Sequence, residues 1–280
     1  MKKSKELLSV LMMITAGILA GCSVSGDSGE SVTDPVEEHD IGIKKATDEK
    51  EVGDIVFKDG TATPYTSGMS LTKKQKNAAI AIIFYKGKGL NNGSDTSTIR
   101  TLGVGLKHSK TGLVWCTKSA DAYGKNITTI KCTATEKNNK YTFTGDKNGS
   151  NYLEMIEAEN GINDTEKEDN YPSFYFAKNY KKVTGSNVKG SKYDNGWYFP
   201  SMAESYQIYL CMENKVFDID AAIEALGGDK FGDNALWTAT PYWDEYSLNH
   251  ATAISYKSGS LPVQPKLNNG LKVCCIREFN

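Results

Sequence analysis

Asn195-Gly196-Trp197-Tyr198-Phe199-Pro200-Ser201-Met202-Ala203-Glu204 is the stretch on which the fold turns. Pro200 disfavours helix at Phe199, so the aromatic run before it reads as extended chain. Ser201 and Glu204 stand three apart. That is capping-box spacing, in which each side chain satisfies a free N–H of the other residue. A helix is therefore predicted from Met202 to about Glu213.

Towards the N-terminus, 52–57 reads as a strand closed by the turn Lys58-Asp59-Gly60. Thr72 and Gln75 form a second capping box, and Ala78 to Tyr85 is an apolar run with the character of a buried strand. Residues 102–106 and 112–116 read as a hairpin or meander, and weak strands are expected around 127–132 and 140–144. Helices are predicted over 151–159 and 172–182, the second opened by Pro172. Towards the C-terminus, Asp218 caps a helix over 219–226 that Gly227-Gly228 stops. Strands follow at 236–239, 251–256 and 272–278. Strands begin and end the domain with helices between them, which predicts an α+β fold with its terminal strands paired.

The chain has 280 residues, 39% of them apolar, enough for one good-sized core. Its 33 basic and 34 acidic residues exclude a basic nucleic-acid-binding domain. The N-terminus is more telling. Lys2, Lys3 and Lys5 precede a short apolar run from Leu7 to Leu19, then Leu19-Ala20-Gly21-Cys22. This has the form of a bacterial lipobox, which predicts a signal peptide over 1–21 and lipidation of Cys22. Residues 23–51 carry nine acids against three lysines and no aromatic residue, so 22–51 is expected to be a flexible acidic tether. The globular domain is then 52–280.

Five cysteines remain: Cys116, Cys132, Cys211, Cys274 and Cys275. Cys116 and Cys132 could be bridged or free. Cys274 and Cys275 are neighbours in a predicted strand, which points them to opposite faces of a core. Asp218 and Asp220 invite a calcium reading, but helix capping explains them. Glu204 as a general base meets the same objection. Neither His39, His108 nor His250 has a partner pattern for catalysis, and G-x-S-x-G is absent. The chain is expected to be neither an enzyme nor the holder of a metal or cofactor.

The segment Tyr242-Trp243-Asp244-Glu245-Tyr246-Ser247-Leu248-Asn249-His250 lies between two predicted strands. Tyrosine and tryptophan offer large contact area at low entropy cost, while serine and asparagine adapt their hydrogen bonds. That is the composition of a binding surface; equally, such aromatics can pack on their own domain. The candidate ligand-binding residues are Tyr242, Asp244, Tyr246, Ser247, Asn249 and His250, joined by Ser255, Ser258 and Ser260. Along 251–256, Ile254 is expected to face the core.

Gly196-Trp197-Tyr198-Phe199-Pro200-Ser201-Met202-Ala203-Glu204 resembles a segment of formylglycine-generating-enzyme-like and related C-type-lectin-like domains. Leu236-Trp237-Thr238-Ala239, Ala251 to Tyr256 and Val273 to Phe279 are similar to strands that follow it in that fold. With the lipobox and tether, the chain resembles the Treponema variable protein family, surface lipoproteins diversified by retroelements. The resemblance implies an outer-membrane, cell-surface lipoprotein, monomeric, that binds a protein or cell-surface ligand and no nucleic acid. Its variable segment would be about 235–260. Adenine mutagenesis cannot produce tryptophan, so Trp243, with Glu245, would be fixed. Other readings are a fixed-function lectin-fold adhesin or structural lipoprotein, and a formylglycine-type oxidase. The oxidase needs a cysteine pair a few residues apart, and Cys274 and Cys275 are adjacent instead.

Overall fold

The computed structural model describes residues 40–93, 95–244 and 246–279. The signal segment, Cys22, the stretch as far as His39, and Glu245 lie outside them. In chain order the strands are β1 (Asp54–Phe57), β2 (Ala62–Pro64), β3 (Ala79–Gly87), β4 (Arg100–Gly105), β5 (Cys132–Lys137), β6 (Lys140–Gly145), β7 (Ala235–Pro241), β8 (His250–Ser255), β9 (Val263–Pro265) and β10 (Ile276–Glu278). The α-helices are α1 (Lys73–Ala78), α2 (Tyr152–Glu157), α3 (Pro172–Lys178), α4 (Met202–Glu213) and α5 (Ile219–Ala225). The fold is α+β.

Five strands form one antiparallel sheet in the order β10-β4-β3-β1-β2. β3 is its centre, and Ile80 to Phe84 are at most 2% exposed. Its side chains feed two cores, Ile80, Ala81 and Ile83 into one and Ile82 and Phe84 into the other. A continuous apolar run is what a strand covered on both faces needs. β4 admits close crossings because it carries glycines. A Cβ on Gly103 would lie 2.7 Å from the Phe279 ring, and one on Gly105 2.5 Å from the Tyr180 hydroxyl. β7, β8 and β9 form a second antiparallel sheet, and β5 with β6 a separate hairpin. Asn138 and Asn139 turn that hairpin with φ of 55° and 59°, the type I′ geometry that matches strand twist.

Both capping boxes form as read, Thr72 with Gln75 and Ser201 with Glu204. Several expectations are corrected. The terminal strands share a sheet but are not paired: β1 pairs with β2 and β3, and β10 with β4. Residues 112–116 do not pair with 102–106. Leu113 N–H donates to the Leu271 carbonyl and Trp115 N–H to the Lys266 carbonyl, so this β-prone stretch is held by irregular chain near the C-terminus. The weak strand expected at 127–132 begins at Cys132. The helix from Pro172 ends at Lys178, with a 3-10 turn over Tyr180–Lys182.

The tether ends earlier than its charge suggests. Lys44 exchanges backbone hydrogen bonds with Ala62 at 2.8 and 3.1 Å, and Gly42 N–H donates to Thr61 Oγ1 at 2.7 Å. The Lys44 ammonium meets the buried Asp54 carboxylate at 2.6 Å. Lys50, only 6% exposed, donates to the carbonyls of Lys45, Ala46 and Asp48. Residues 40–51 therefore belong to the folded domain.

Candidate ligand-binding site

Glu204 illustrates what the polar interior is for. It is fully buried, and its Oε2 accepts from the N–H groups of Ser201 at 2.9 Å and Gly149 at 3.0 Å. Its Oε1 accepts from Tyr198 Oη at 2.7 Å and Arg100 Nη1 at 3.0 Å. Arg100 also donates to the Leu90 carbonyl, Tyr198 Oη and Glu278. Burial opposes the Arg100 charge, but Tyr198, Glu204 and Glu278 outweigh it and hold its pKa above the ordinary value. A carboxylate with four donors and no solvent access is a structural hub, not a base.

The chain between β7 and β8 contrasts with this. Trp243 is 61% exposed and Tyr246 86%. Tyr242 and Trp243 form one side of a cleft of about 660 Å³. Pro241, Met202 and Thr252 also line it, together with Leu261 and the exposed Val263 that opens β9. The facing wall is Ile127, Ile130 and the strand start Lys131 to Ala134, with Tyr141 from β6. The hairpin makes that wall by alternation. Cys132, Ala134, Tyr141 and Phe143 are half-buried, while Thr133, Thr135, Thr142 and Thr144 are exposed. A cleft of this size and apolar character suits a small-molecule or side-chain guest.

The loop has a fixed frame. Lys266, 1% exposed, donates its ammonium to the carbonyls of Leu248 at 3.1 Å, Ala122 at 2.8 Å and Lys125 at 3.3 Å. Its backbone N–H bonds the Asn249 carbonyl, and the ammonium lies over the Trp115 ring. Burial pushes its pKa down to about 8. Asn249 Oδ1 accepts from Gly124 N–H, and Asp244 Oδ1 accepts from Tyr246 N–H at 2.6 Å. Tyr242 N–H closes the loop on the His250 carbonyl.

The expected site residues therefore divide. Tyr242 lines the cleft, Tyr246 projects, and Ser247 and His250 are half-buried in the loop, the His250 Nδ1 enclosed without a hydrogen-bond partner among the described residues. Asp244 and Asn249 shape the backbone. Ser255, Ser258 and Ser260 do not join them. They cluster among themselves, with Oγ separations of 3.2 and 2.9 Å, at the other end of β8. Five residue steps of strand separate His250 from Ser255, about 17 Å. β8 is also buried on both faces. Ala251 and Ala253 enter one core and Ile254 the other, which Tyr256 joins just past the strand.

Sequence reasoning missed the wall at 127–134, Leu261 and Val263, and it set Trp243 aside as frame. The apolar alternation Cys132, Ala134, Tyr141, Phe143 was the signal available. The remaining candidates have structural explanations. Asp218 caps α5 through Ala221 N–H, while Asp220 holds the N–H groups of Phe231 and Gly232. His108 packs against Phe231 with the ring planes tilted by 53°, and burial lowers its pKa to about 4. All five described cysteines are free thiols, Cys274 and Cys275 in opposite cores. No protein-family model matches the chain, and a search of curated proteins gives no match either.

Proposed function

We propose that this chain is a lipid-anchored surface protein that binds a ligand through the 242–250 loop and the cleft beside it, on a C-type-lectin-like domain. The observation that carries this reading is the pairing of Trp243 and Tyr246, 61% and 86% exposed, with an apolar cleft of about 660 Å³. Large exposed aromatics rimming a concavity are characteristic of binding surfaces. The rigid supports at Lys266, Asn249 and Asp244 let the outer positions change without loss of the loop path. That division of labour suits a site diversified by a retroelement.

The test is to sequence this coding segment from many clones of one population. Substitutions concentrated at Tyr242, Tyr246, Ser247 and His250, with Asp244, Asn249 and the flanking strands constant, support the reading. Substitutions scattered evenly along the chain contradict diversification. For the anchor, Cys22→Ala is expected to block processing and abolish detergent partitioning; unchanged partitioning contradicts it.

A further inference from the structure

Among the described residues, Lys131 is the one basic residue in the cleft lining, and the lining contains no acidic residue. Its exposed ammonium makes no ion pair among the described residues; only its backbone N–H is engaged, by Asp146 Oδ2 at 2.8 Å. Four described carboxylates adjoin the lining segments, each already occupied. Glu159 accepts from the N–H groups of Thr128 and Thr129, Asp146 from Lys131 N–H, Glu136 from Tyr141 Oη and Asp244 from Tyr246 N–H. The stretch 125–146 carries four lysines against two acids, so its own charge is positive. Cys132 adds no anion to the wall, because burial pushes its thiol up to about 12. The rest of the lining is aliphatic, aromatic or hydroxyl-bearing.

We propose that the cleft selects small apolar monoanions: an aliphatic or aromatic body between the hairpin wall and Trp243, with one acidic group on Lys131. This rests on the binding reading above and adds the ligand's charge and class. A charge-assisted contact at a largely apolar site is stronger than its neutral counterpart, whereas the same body without the acid gains only burial. The open side at Val263, 37% exposed, allows entry without unfolding.

Two probes share one body. 1-Anilinonaphthalene-8-sulfonate carries a sulfonate, and N-phenyl-1-naphthylamine is the same molecule without it. Each is titrated into the folded protein, read by probe emission and by energy transfer from tryptophan. Of the four tryptophans, Trp115, Trp197 and Trp237 are buried and Trp243 is exposed beside the cleft. The sulfonate is expected to bind about tenfold more tightly, a difference of about 1.4 kcal/mol. Lys131→Gln should erase that preference while leaving the neutral probe unchanged. Val263→Trp, at an exposed edge, should fill the cleft and abolish both, with near-ultraviolet circular dichroism confirming the fold. Equal affinities in the wild-type protein, or a sulfonate preference that survives Lys131→Gln, overturn the charge selection while leaving the cleft as a site. Binding of both probes that survives Val263→Trp, or no binding of either, overturns the cleft proposal itself.

Discussion

The Arg100–Glu204 hub and the 242–250 loop are both rich in polar and aromatic groups, yet they are built on opposite terms. In the hub, Arg100 is 2% and Glu204 0% exposed, and each carboxylate oxygen has two donors. In the loop, polar groups of the backbone frame are satisfied, while Trp243 and Tyr246 face solvent and Lys131 across the cleft makes no ion pair among the described residues. Buried polar groups left without partners are costly, so the first arrangement specifies one structure. Exposed aromatics and an unpaired cation hold interactions in reserve, and that is the arrangement of a surface with a partner.

The contrast can be broken first at the hub. Glu204→Ala leaves Arg100 buried without its main counter-charge and removes a capping-box member. A loss of about 3–5 kcal/mol is expected in denaturant unfolding, the range for breaking a buried pair. A loss under about 1 kcal/mol would show that water reaches the hub. Trp197→Ala and Trp237→Ala are expected to cost about 3–5 kcal/mol each in thermal unfolding, since both rings are core residues at most 3% exposed. Trp237 adds an indole N–H bond to the Leu113 carbonyl at 2.8 Å. Wild-type stability in either variant would move that residue out of the core.

Lys266→Met falls between the two regions. It leaves the carbonyls of Leu248, Ala122 and Lys125 without their shared donor, at an expected cost of about 1–3 kcal/mol. It also has a pH signature. Burial lowers the Lys266 pKa to about 8 in the fold, below an unfolded value of about 10.4. The unfolded state binds more protons between these values, so this group's contribution to stability rises with pH from about 8 to 10.4. The wild-type minus Lys266→Met stability difference should show that rise. A flat difference would place the ammonium in contact with water.

The same contrast explains what could be read from the chain. Ser201 and Glu204 were legible because a capping box is local, three residues long. Their connection to Arg100, 104 positions away, was not, because nothing in a single chain marks a long-range ion pair. Residues 112–116 have strand-like composition, and only the three-dimensional path of 266–271 shows why they pair irregularly. Charge density hid the docking of 40–51, where backbone bonds to Thr61 and Ala62 outweigh acidity. At the site, the composition of 242–250 marked the loop. The serines at 255, 258 and 260 were joined to it by sequence proximity, which a strand about 17 Å long undoes. The cleft needed its second wall, and that wall comes from a hairpin about a hundred residues earlier.

The most direct test of this account is the combined variant Tyr242→Ala, Tyr246→Ala and His250→Ala, measured by denaturant unfolding. A binding surface that contributes little to the core predicts a change within about 0.5 kcal/mol per site. The variant should keep the wild-type near-ultraviolet spectrum. A loss of several kcal/mol, or loss of the folded state, would show that these side chains hold the domain together and would contradict the central claim.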